Sequence, residues 1–270
     1  MIRSVEREWL DELPADVPAA IASRGDLKRV NWWMGHAGIL HRALRKTSPS
    51  PPLRVVELGA GDGTFLLSLA ERWPARGARI AAVLVDRQNV VRAKTLEAFQ
   101  ALGWDVQVVQ ADVFDWLAQP ALPSDWLLAN LFLHHFHTER LRELLSFAAE
   151  RTNMLVACEP RRAALPLAAT RLLGLIGCNA ITRHDARVSV QAGFAGHELS
   201  ALWPSENRWQ LREQAGGLFS HCFVARRKET PGNSPTDWER LRRFSSTSGA
   251  CLNLREISAT SCRECSRVMR

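Results

Sequence analysis

The chain has 270 residues, 46% of them hydrophobic and 23% charged, which suffices for one α/β domain with a core and excludes a disordered protein. Its formal net charge is +7, yet the basic residues are mostly arginines spread along the chain without a dense run. This distribution indicates a solvated basic surface and argues against nucleic acid as a partner. Residues 1–16 lack the apolar core of a signal peptide, so we expect a cytoplasmic protein with free thiols.

Residues 1–49 are predicted to form an N-terminal helical cap. Asp26 is a candidate N-cap for a helix whose apolar residues recur at roughly helical spacing up to Leu40. The same helix carries Trp32 and Trp33, so it either packs on the domain that follows or forms a lid over its pocket. A proline-rich segment, residues 48–52, then ends the helix and leads into the first strand.

A glycine-rich turn, residues 59–63, directly follows an apolar strand and precedes a predicted helix. Gly59 and Gly61 lack a Cβ atom and tolerate positive φ, so they let a ligand approach the backbone. The G-x-G-x-G spacing differs from the G-x-G-x-x-G spacing of dinucleotide sites. Glu57 and Asp62 add two carboxylates, which repel phosphates and accept the donors of a cationic ligand. The turn therefore predicts a positively charged nucleoside cofactor.

The stretch Glu57-Leu58-Gly59-Ala60-Gly61-Asp62-Gly63 resembles the first motif of class I S-adenosylmethionine-dependent methyltransferases, E/D-x-G-x-G-x-G. The resemblance implies a methyltransferase domain in residues 50–228 with an α/β, Rossmann-like, doubly wound fold. Its sheet would have seven mostly parallel strands, with the last strand antiparallel. The resemblance also implies S-adenosylmethionine as the cofactor, with Glu57, Gly59, Ala60 and Gly61 among the residues that bind it.

The second predicted strand, residues 80–85, ends at Asp86. In doubly wound folds an acidic side chain at this point lies beside the first turn and accepts both hydroxyls of a ribose. We therefore expect Asp86, together with the adjacent Arg87, to bind the cofactor. The alternative is that Asp86 only caps the helix predicted over Gln88–Ala101.

The third predicted strand, residues 106–110, leads to Asp112 and Val113. The resemblance assigns the Asp112 carboxylate to the exocyclic amine of adenine and the Val113 amide to the ring nitrogen. Alternatively, Asp112 caps the short helical segment Phe114–Ala118.

The fourth predicted strand, residues 126–132, carries Asn130 and is followed by His134 and His135. Ligands of open α/β sheets bind outside the carboxyl ends of the strands, so these side chains face the expected crevice. Similar Asn-x-x-x-His-His stretches occur in methylases resembling those of ubiquinone and menaquinone biosynthesis, and the resemblance assigns Asn130 to the cofactor. Imidazole titrates near neutrality, so His135 and His134 are candidate general bases, with a structural role as the alternative.

The fifth strand, residues 154–158, ends in Glu159-Pro160, and an apolar helix is predicted within residues 161–179. His184 and Asp185 then follow as a candidate base and its orienting partner, or as ordinary surface residues of a helix. Residues 182–204 resemble small-molecule methyltransferases encoded beside type III polyketide synthases, which act on phenolic or quinonoid lipids.

Residues 209–214 and 218–226 are predicted to form a closing β-hairpin, and residues 229–270 to form a tail of low order. Cys262-x-x-Cys265 in this tail has no second ligand pair nearby, so no metal site is predicted.

The sequence therefore predicts a methyltransferase that uses S-adenosylmethionine to methylate a small, aromatic acceptor, by O-methylation of a phenolic, quinonoid or polyketide-derived compound. The alternatives are an RNA O-methyltransferase and an NAD- or FAD-dependent oxidoreductase. Asn130 is not followed by the Pro-Pro-aromatic signature of enzymes that methylate amino groups of nucleic acids. Interrupting residues in the apolar stretch 163–181 argue against an integral membrane span, and peripheral membrane association and the oligomeric state are left open.

Overall fold

A computed structural model describes residues 1–14, 16–45, 47, 52–73, 79–120, 123–204 and 206–228. The chain divides into two units, Met1–Lys228 and Glu229–Arg270. The predicted boundary of the cap near residue 49 and the predicted tail, with its Cys-x-x-Cys pair, lie outside the described residues.

In the described part of the chain, seven strands form one mixed sheet with the order β3-β2-β1-β4-β5-β7-β6. Strands β1 to β5 are parallel, whereas β7 runs antiparallel to both β5 and β6. This topology confirms the predicted doubly wound fold. From β1 the strand order runs through β2 and β3 to one edge of the sheet and from β4 towards the other edge, and such sheets bind their ligands at the switch point between β1 and β4. The strands are β1 (Leu53–Leu58), β2 (Ile80–Asp86), β3 (Trp104–Gln110), β4 (Trp126–Asn130), β5 (Met154–Pro160), β6 (Trp209–Ala215) and β7 (Ser220–Arg227).

Helices cover both faces of the sheet, and each face has its own hydrophobic cluster. Helices α3, α4 and α5 pack on one face, and α6, α7 and α10 on the other, which is why the central strands are apolar on both sides. The described helices are α1 (Trp9–Glu12), α2 (Pro18–Met34), α3 (His36–Leu44), α4 (Thr64–Ala70), α5 (Ala93–Ala101), α6 (Val113–Ala118), α7 (Thr138–Arg151), α8 (Ala164–Thr170), α9 (Ala180–Ala192) and α10 (Glu198–Leu202), with 3-10 turns at Leu133–His135, Leu173–Ile176 and Glu206–Arg208.

The N-terminal helices differ from the prediction in their start and in the face that they bury. Helix α2 begins at Pro18, whose fixed φ suits the first helical position, so Asp26 lies inside the helix and is not its N-cap. Trp32 and Trp33 are 76% and 73% exposed. The contact with the sheet is made instead by α3, through apolar side chains such as Leu40 and Leu44.

Two further helix predictions need correction. The helix predicted to start at Gln88 begins at Ala93, and the apolar segment within residues 161–179 forms a short helix, α8, followed by a 3-10 turn. Gly177, with φ +80°, ends that turn because glycine adopts the left-handed conformation at low cost. No helix among the described residues is long and apolar enough to cross a membrane.

Candidate cofactor and acceptor site

The glycine-rich turn joins β1 to α4, and its glycines serve two different purposes. Gly59, Gly61 and Gly63 have φ values of +66°, +53° and +74°. A Cβ atom on Gly59 would lie 2.2 Å from the Phe132 ring, so this glycine makes room for the protein itself. A Cβ atom on Gly61 would meet no atom within 4 Å. The open space that the sequence predicts for a ligand is therefore beside Gly61.

Asp86, the last residue of β2, binds the glycine-rich turn directly. Its Oδ2 atom accepts a hydrogen bond from the Gly61 N–H at 2.8 Å, and its Oδ1 atom accepts one from the Gln88 N–H at 2.8 Å. Since a carboxylate offers about four lone pairs, acceptor capacity remains for the hydroxyls of a ligand. Asp86 thus lies beside the turn, as expected, and it does not cap α5, which begins seven residues later.

Glu57 is buried beneath the turn and carries an oxygen atom without a partner. The residue is 1% exposed, and its Oε2 atom accepts no hydrogen bond from the part of the chain that the structure describes. Burial, reinforced by the negative charges of Asp62 and Asp86, raises the pKa of this carboxyl well above its usual range, although a hydrogen bond from the Leu66 backbone opposes the shift. A buried acceptor without a partner is rare, so Glu57 marks a place where a donor can bind.

Asp112 lies at the N-terminus of α6, where its Oδ1 atom accepts a hydrogen bond from the Phe114 N–H at 2.9 Å. Asp112 therefore does cap α6, as the alternative interpretation expects, and the cap occupies one of its two carboxylate oxygens. Val113 is the first residue of α6 and is buried, whereas the Arg87 side chain is exposed.

Helix α2 contacts the glycine-rich turn, as expected for the lid alternative. Lys28 forms a salt bridge with Asp62, and Arg24 donates a hydrogen bond to the Gln88 side chain at 3.1 Å. The position of the N-terminal segment is thereby linked to the loops that follow β1 and β2.

Asn130, at the end of β4, is held by a histidine that the sequence analysis missed. His36 Nδ1 lies 2.8 Å from Asn130 Oδ1, and its Nε2 lies 2.9 Å from Ser220 Oγ. Burial lowers the pKa of His36 to about 4, so the ring is neutral and donates from Nδ1 to the amide oxygen while Nε2 accepts the hydroxyl proton. His36 is 94 and 184 residues from these partners, so no local pattern could have revealed the contact.

His134 is a structural residue in this arrangement. Its Nδ1 atom lies 2.8 Å from Glu159 Oε2, and its Nε2 atom lies 3.3 Å from Glu8 Oε1. Glu159, which is completely buried, also accepts hydrogen bonds from the backbone N–H groups of Phe132, Leu133 and His134. Glu159 therefore fixes the turn after β4.

His135 lies next to His134, with ring centroids 4.2 Å apart, and it faces two carboxylates. Its Nε2 atom lies 3.4 Å from Glu8 Oε2 and 3.7 Å from Asp11 Oδ2. Burial favours the neutral ring, but Glu8 and Asp11 outweigh it and raise the pKa of His135 to about 9. The pKa of Glu8 is lowered well below its usual range because the two imidazoles outweigh the opposing effect of burial. The sequence analysis missed Glu8.

His184 contacts Asp185 as predicted, with Nδ1 2.9 Å from Oδ1, but its ring is stacked on Trp9 at 3.7 Å. Asp185 also accepts the backbone N–H groups of Trp9 and Leu10, so it holds the N-terminal segment. A surface cleft of about 350 Å³ borders His184 together with Arg171, Arg183 and Arg187. Another cleft, of about 300 Å³, lies near Arg161 and His197.

Comparisons with known proteins agree with this geometry. Residues 55–172 match a family described as a methyltransferase domain. A trans-aconitate 2-methyltransferase from Streptomyces avermitilis is 32% identical over 95 residues, which cover 34% of this chain and 34% of that protein. The match thus spans about a third of the relative's length.

Solved structures share the fold at low sequence identity. A plantazolicin methyltransferase in complex with a desmethyl analogue and S-adenosylhomocysteine (SAH) is 10% identical, with a TM-score of 0.59 over 81% of this chain and 93% of that chain. An O-methyltransferase family 2 protein from Planctomyces limnophilus in complex with apigenin is 14% identical, with a TM-score of 0.52 over 81% of this chain and 64% of that chain. The chain thus carries a methyltransferase domain in residues 55–172, within a fold that it shares with solved methyltransferases.

Proposed function

We propose that the protein transfers a methyl group from S-adenosylmethionine to an oxygen atom of a small aromatic acceptor, a phenolic, quinonoid or polyketide-derived compound. The observation that carries the cofactor part is the buried Glu57 oxygen atom that has no partner among the described residues, just before the glycine-rich turn in which Gly61 borders open space. An ammonium group of the cofactor's methionine end would supply the missing donor, and its positive charge suits the carboxylates around the turn.

The remaining cofactor contacts follow from the ends of the next strands. Asp86 retains acceptor capacity for ribose hydroxyls, and Asp112 retains one oxygen for the amine of adenine, with the Val113 amide beside it. Asn130 is positioned at the same sheet edge by His36. We propose that Ala60 and Arg87 line the site through backbone atoms, since Ala60 is buried and the Arg87 side chain is exposed.

In the proposed reaction the sulfonium–methyl bond breaks as the oxygen–methyl bond forms, and the acceptor loses its hydroxyl proton. The donor is already cationic and becomes neutral, so positioning of the two reactants contributes most of the acceleration. Of the three histidines predicted to be catalytic, we place His135 beside the acceptor, because its side chain is 25% exposed while that of His134 is 3% exposed. We propose that it lines the site and does not act as a base, because its Nδ1 atom contacts the Phe132 carbonyl and its Nε2 atom faces Glu8. His184 would line the approach through its cleft.

The acceptor class is supported by the aromatic side chains of the turn after β4. Phe132 and Phe136 pack edge to face, with centroids 5.1 Å apart, and Phe114 packs on Phe136 at 5.6 Å. Aromatic edges and faces of this kind bind flat aromatic ligands well. The O-methyltransferase family 2 protein of the same fold is in complex with apigenin, a phenolic compound.

Calorimetric titration with SAH and with NADH tests the cofactor. We expect SAH to bind and NADH not to bind, and Asp86→Ala to weaken SAH binding about 100-fold, since two charge-assisted hydrogen bonds are lost. Gly61→Ala should also abolish binding because its methyl group fills the ligand space. Gly103→Ala is the matched control, since Gly103 has φ +77° and equally open surroundings far from the site. Equal loss in both glycine variants would contradict the proposal.

Methyl transfer from isotopically labelled S-adenosylmethionine to a panel of alkylated phenols and quinones tests the acceptor. We expect a methyl ether among the products, identified by mass spectrometry. Label appearing in RNA and in none of the small molecules would overturn the acceptor class and leave the cofactor assignment intact.

A further inference from the structure

Three side chains with metal-ligand chemistry converge between the N-terminal segment and the turn after β4. Glu8, His134 and His135 each offer one ligand atom, and these atoms lie within 4.8 Å of one another. His134 Nε2 lies 3.3 Å from Glu8 Oε1, and His135 Nε2 lies 3.4 Å from Glu8 Oε2. A tetrahedral ion with bonds of 2.0–2.1 Å has ligand–ligand edges of about 3.3–3.4 Å, so each imidazole–carboxylate spacing matches one edge of such a site.

The three candidate ligands are held by hydrogen-bond partners of the kind found around metal sites. His134 binds Glu159 through Nδ1, and His135 binds the Phe132 carbonyl through Nδ1 at 3.0 Å. Both rings therefore direct Nε2 at Glu8. Ser189 donates a hydrogen bond to Glu8 and orients that carboxylate. Ligating histidines usually donate their second nitrogen to a carboxylate or carbonyl in this way, and ligating carboxylates are hydrogen-bonded in turn.

The cluster also contains a buried nitrogen atom that a cation would satisfy. The Nε2 atom of His135 has no aligned hydrogen-bond partner among the described residues. One divalent ion would bind this atom together with His134 Nε2 and the Glu8 carboxylate.

We propose that Glu8, His134 and His135 bind a divalent metal ion of the zinc class, with Asp11 as the fourth ligand. Two imidazole nitrogens and one carboxylate favour a transition metal such as Zn²⁺ over Mg²⁺ or Ca²⁺. Asp11 is 46% exposed and lies 3.7 Å from His135 Nε2, so it can move into the coordination sphere. The ion would link residues 8–11 to the turn after β4, since Glu8 and His134 are 126 residues apart in the chain. This proposal departs from the expectation of no metal site.

Zinc titration of the full chain, purified without a histidine tag and dialysed against EDTA, tests the proposal. Competition with a chromophoric chelator at pH 7.5 should show one tightly bound Zn²⁺ per chain, with a dissociation constant below about 1 µM. Zinc should raise the midpoint of thermal unfolding because it binds the folded state alone. Glu8→Gln, which keeps the size and hydrogen-bonding capacity of Glu8, and His135→Asn should each lower the affinity at least about 100-fold.

The controls separate this site from other zinc ligands of the chain. His197→Asn, at an exposed position, and Cys262→Ser, in the tail, should leave the affinity unchanged. Asp11→Asn, at a half-exposed position that the fold tolerates, should lower it about 10-fold. Zinc lost in Cys262→Ser but retained in His135→Asn and Asp11→Asn would overturn the proposal, as would a chain without bound zinc at 10 µM.

Discussion

The two halves of the candidate site are built in different ways. At the ends of β1 and β2, the contacts join residues close in sequence, such as Gly61 and Asp86, which are 25 residues apart. At the ends of β4 and β5, the contacts reach 94 residues from Asn130 to His36 and 126 residues from His134 to Glu8. The first half leaves a buried carboxyl oxygen without a partner, at Glu57, whereas the Glu159 carboxylate in the second half accepts four hydrogen bonds.

This difference separates a ligand half, at the ends of β1 and β2, from a scaffold half, the hydrogen-bond networks of Glu159 and His36 at the ends of β4 and β5. The buried Nε2 atom of His135, which has no partner among the described residues, belongs to neither network. Polar groups that await a ligand are left unsatisfied by the protein, and such groups lower stability until the ligand binds. Polar groups that satisfy one another hold the backbone in place and carry stability. The mutations below test this division.

The largest effect is expected for Glu159→Ala, in the scaffold half. The substitution removes the acceptor of three backbone N–H groups and the partner of His134, all of them buried or partly buried. Leaving these donors without a partner should lower the free energy of unfolding by about 3–5 kcal/mol. Urea denaturation followed by circular dichroism measures the change.

Glu139→Ala is the matched control, because Glu139 is 84% exposed and pairs only with Arg142 across one helical turn. Its effect should stay below about 0.5 kcal/mol. A loss of less than 1 kcal/mol for Glu159→Ala would mean that the turn after β4 does not depend on this carboxylate.

The second prediction concerns the pH dependence that His36 creates. Its pKa is about 4 in the folded chain and about 6.5 when unfolded, so the unfolded chain binds the proton first as the pH falls. The contribution of His36 is therefore complete above pH 6.5 and is lost between pH 6.5 and 4, by roughly 3 kcal/mol. The nearby charge of Glu159 opposes this shift.

Unfolding free energies of the wild type and of His36→Gln, measured from pH 7.5 to 4, isolate this contribution, since the other titrating groups are common to both proteins. The difference between the two curves should shrink as the pH falls. Parallel curves would show that folding leaves the pKa of His36 unchanged, so a neutral His36 would not be what holds the Asn130 side chain in place.

The same division explains what could be predicted from the sequence. The glycine-rich turn and Asp86 follow from short-range patterns, and the structure confirms the doubly wound, seven-stranded fold that the family resemblance implies. The contacts of Glu8 and His36 could not be predicted, because their partners are brought near only by the completed sheet. Asp26 was misassigned for the same reason: it is 7% exposed and accepts the Asn179 N–H, a contact across 153 residues.

The third prediction concerns the ligand half. Because burial raises the pKa of Glu57 above the unfolded value of about 4.5, the unfolded chain releases this proton first as the pH rises. Stability should therefore fall with increasing pH above about 4.5, opposite to the His36 effect. Glu57→Gln removes this dependence and should be more stable than the wild type at pH 8 by about 1–2 kcal/mol, the usual penalty of an unsatisfied buried polar group.

Thermal unfolding of the wild type and of Glu57→Gln at pH 5 and at pH 8, without cofactor, measures the difference in stability. Titration of both proteins with SAH measures the difference in affinity. We expect Glu57→Gln to gain stability and to lose SAH affinity. If the variant were less stable than the wild type at both pH values, Glu57 would belong to the scaffold half.

The smallest effect is expected for Lys28→Met, which breaks the salt bridge between α2 and the glycine-rich turn while keeping the aliphatic part of the side chain. The Lys28 and Asp62 side chains are 45% and 20% exposed, so solvent screens the pair. The free energy of unfolding should fall by no more than about 1 kcal/mol, and the loss should shrink in 0.5 M salt. Asp62 also accepts hydrogen bonds from the backbone and hydroxyl of Thr64, so the turn itself should persist. Amide hydrogen exchange of α2 should rise more than that of α4, because Lys28 holds the lid and not the sheet. A larger loss, or equal exchange in both helices, would place α2 in the scaffold half.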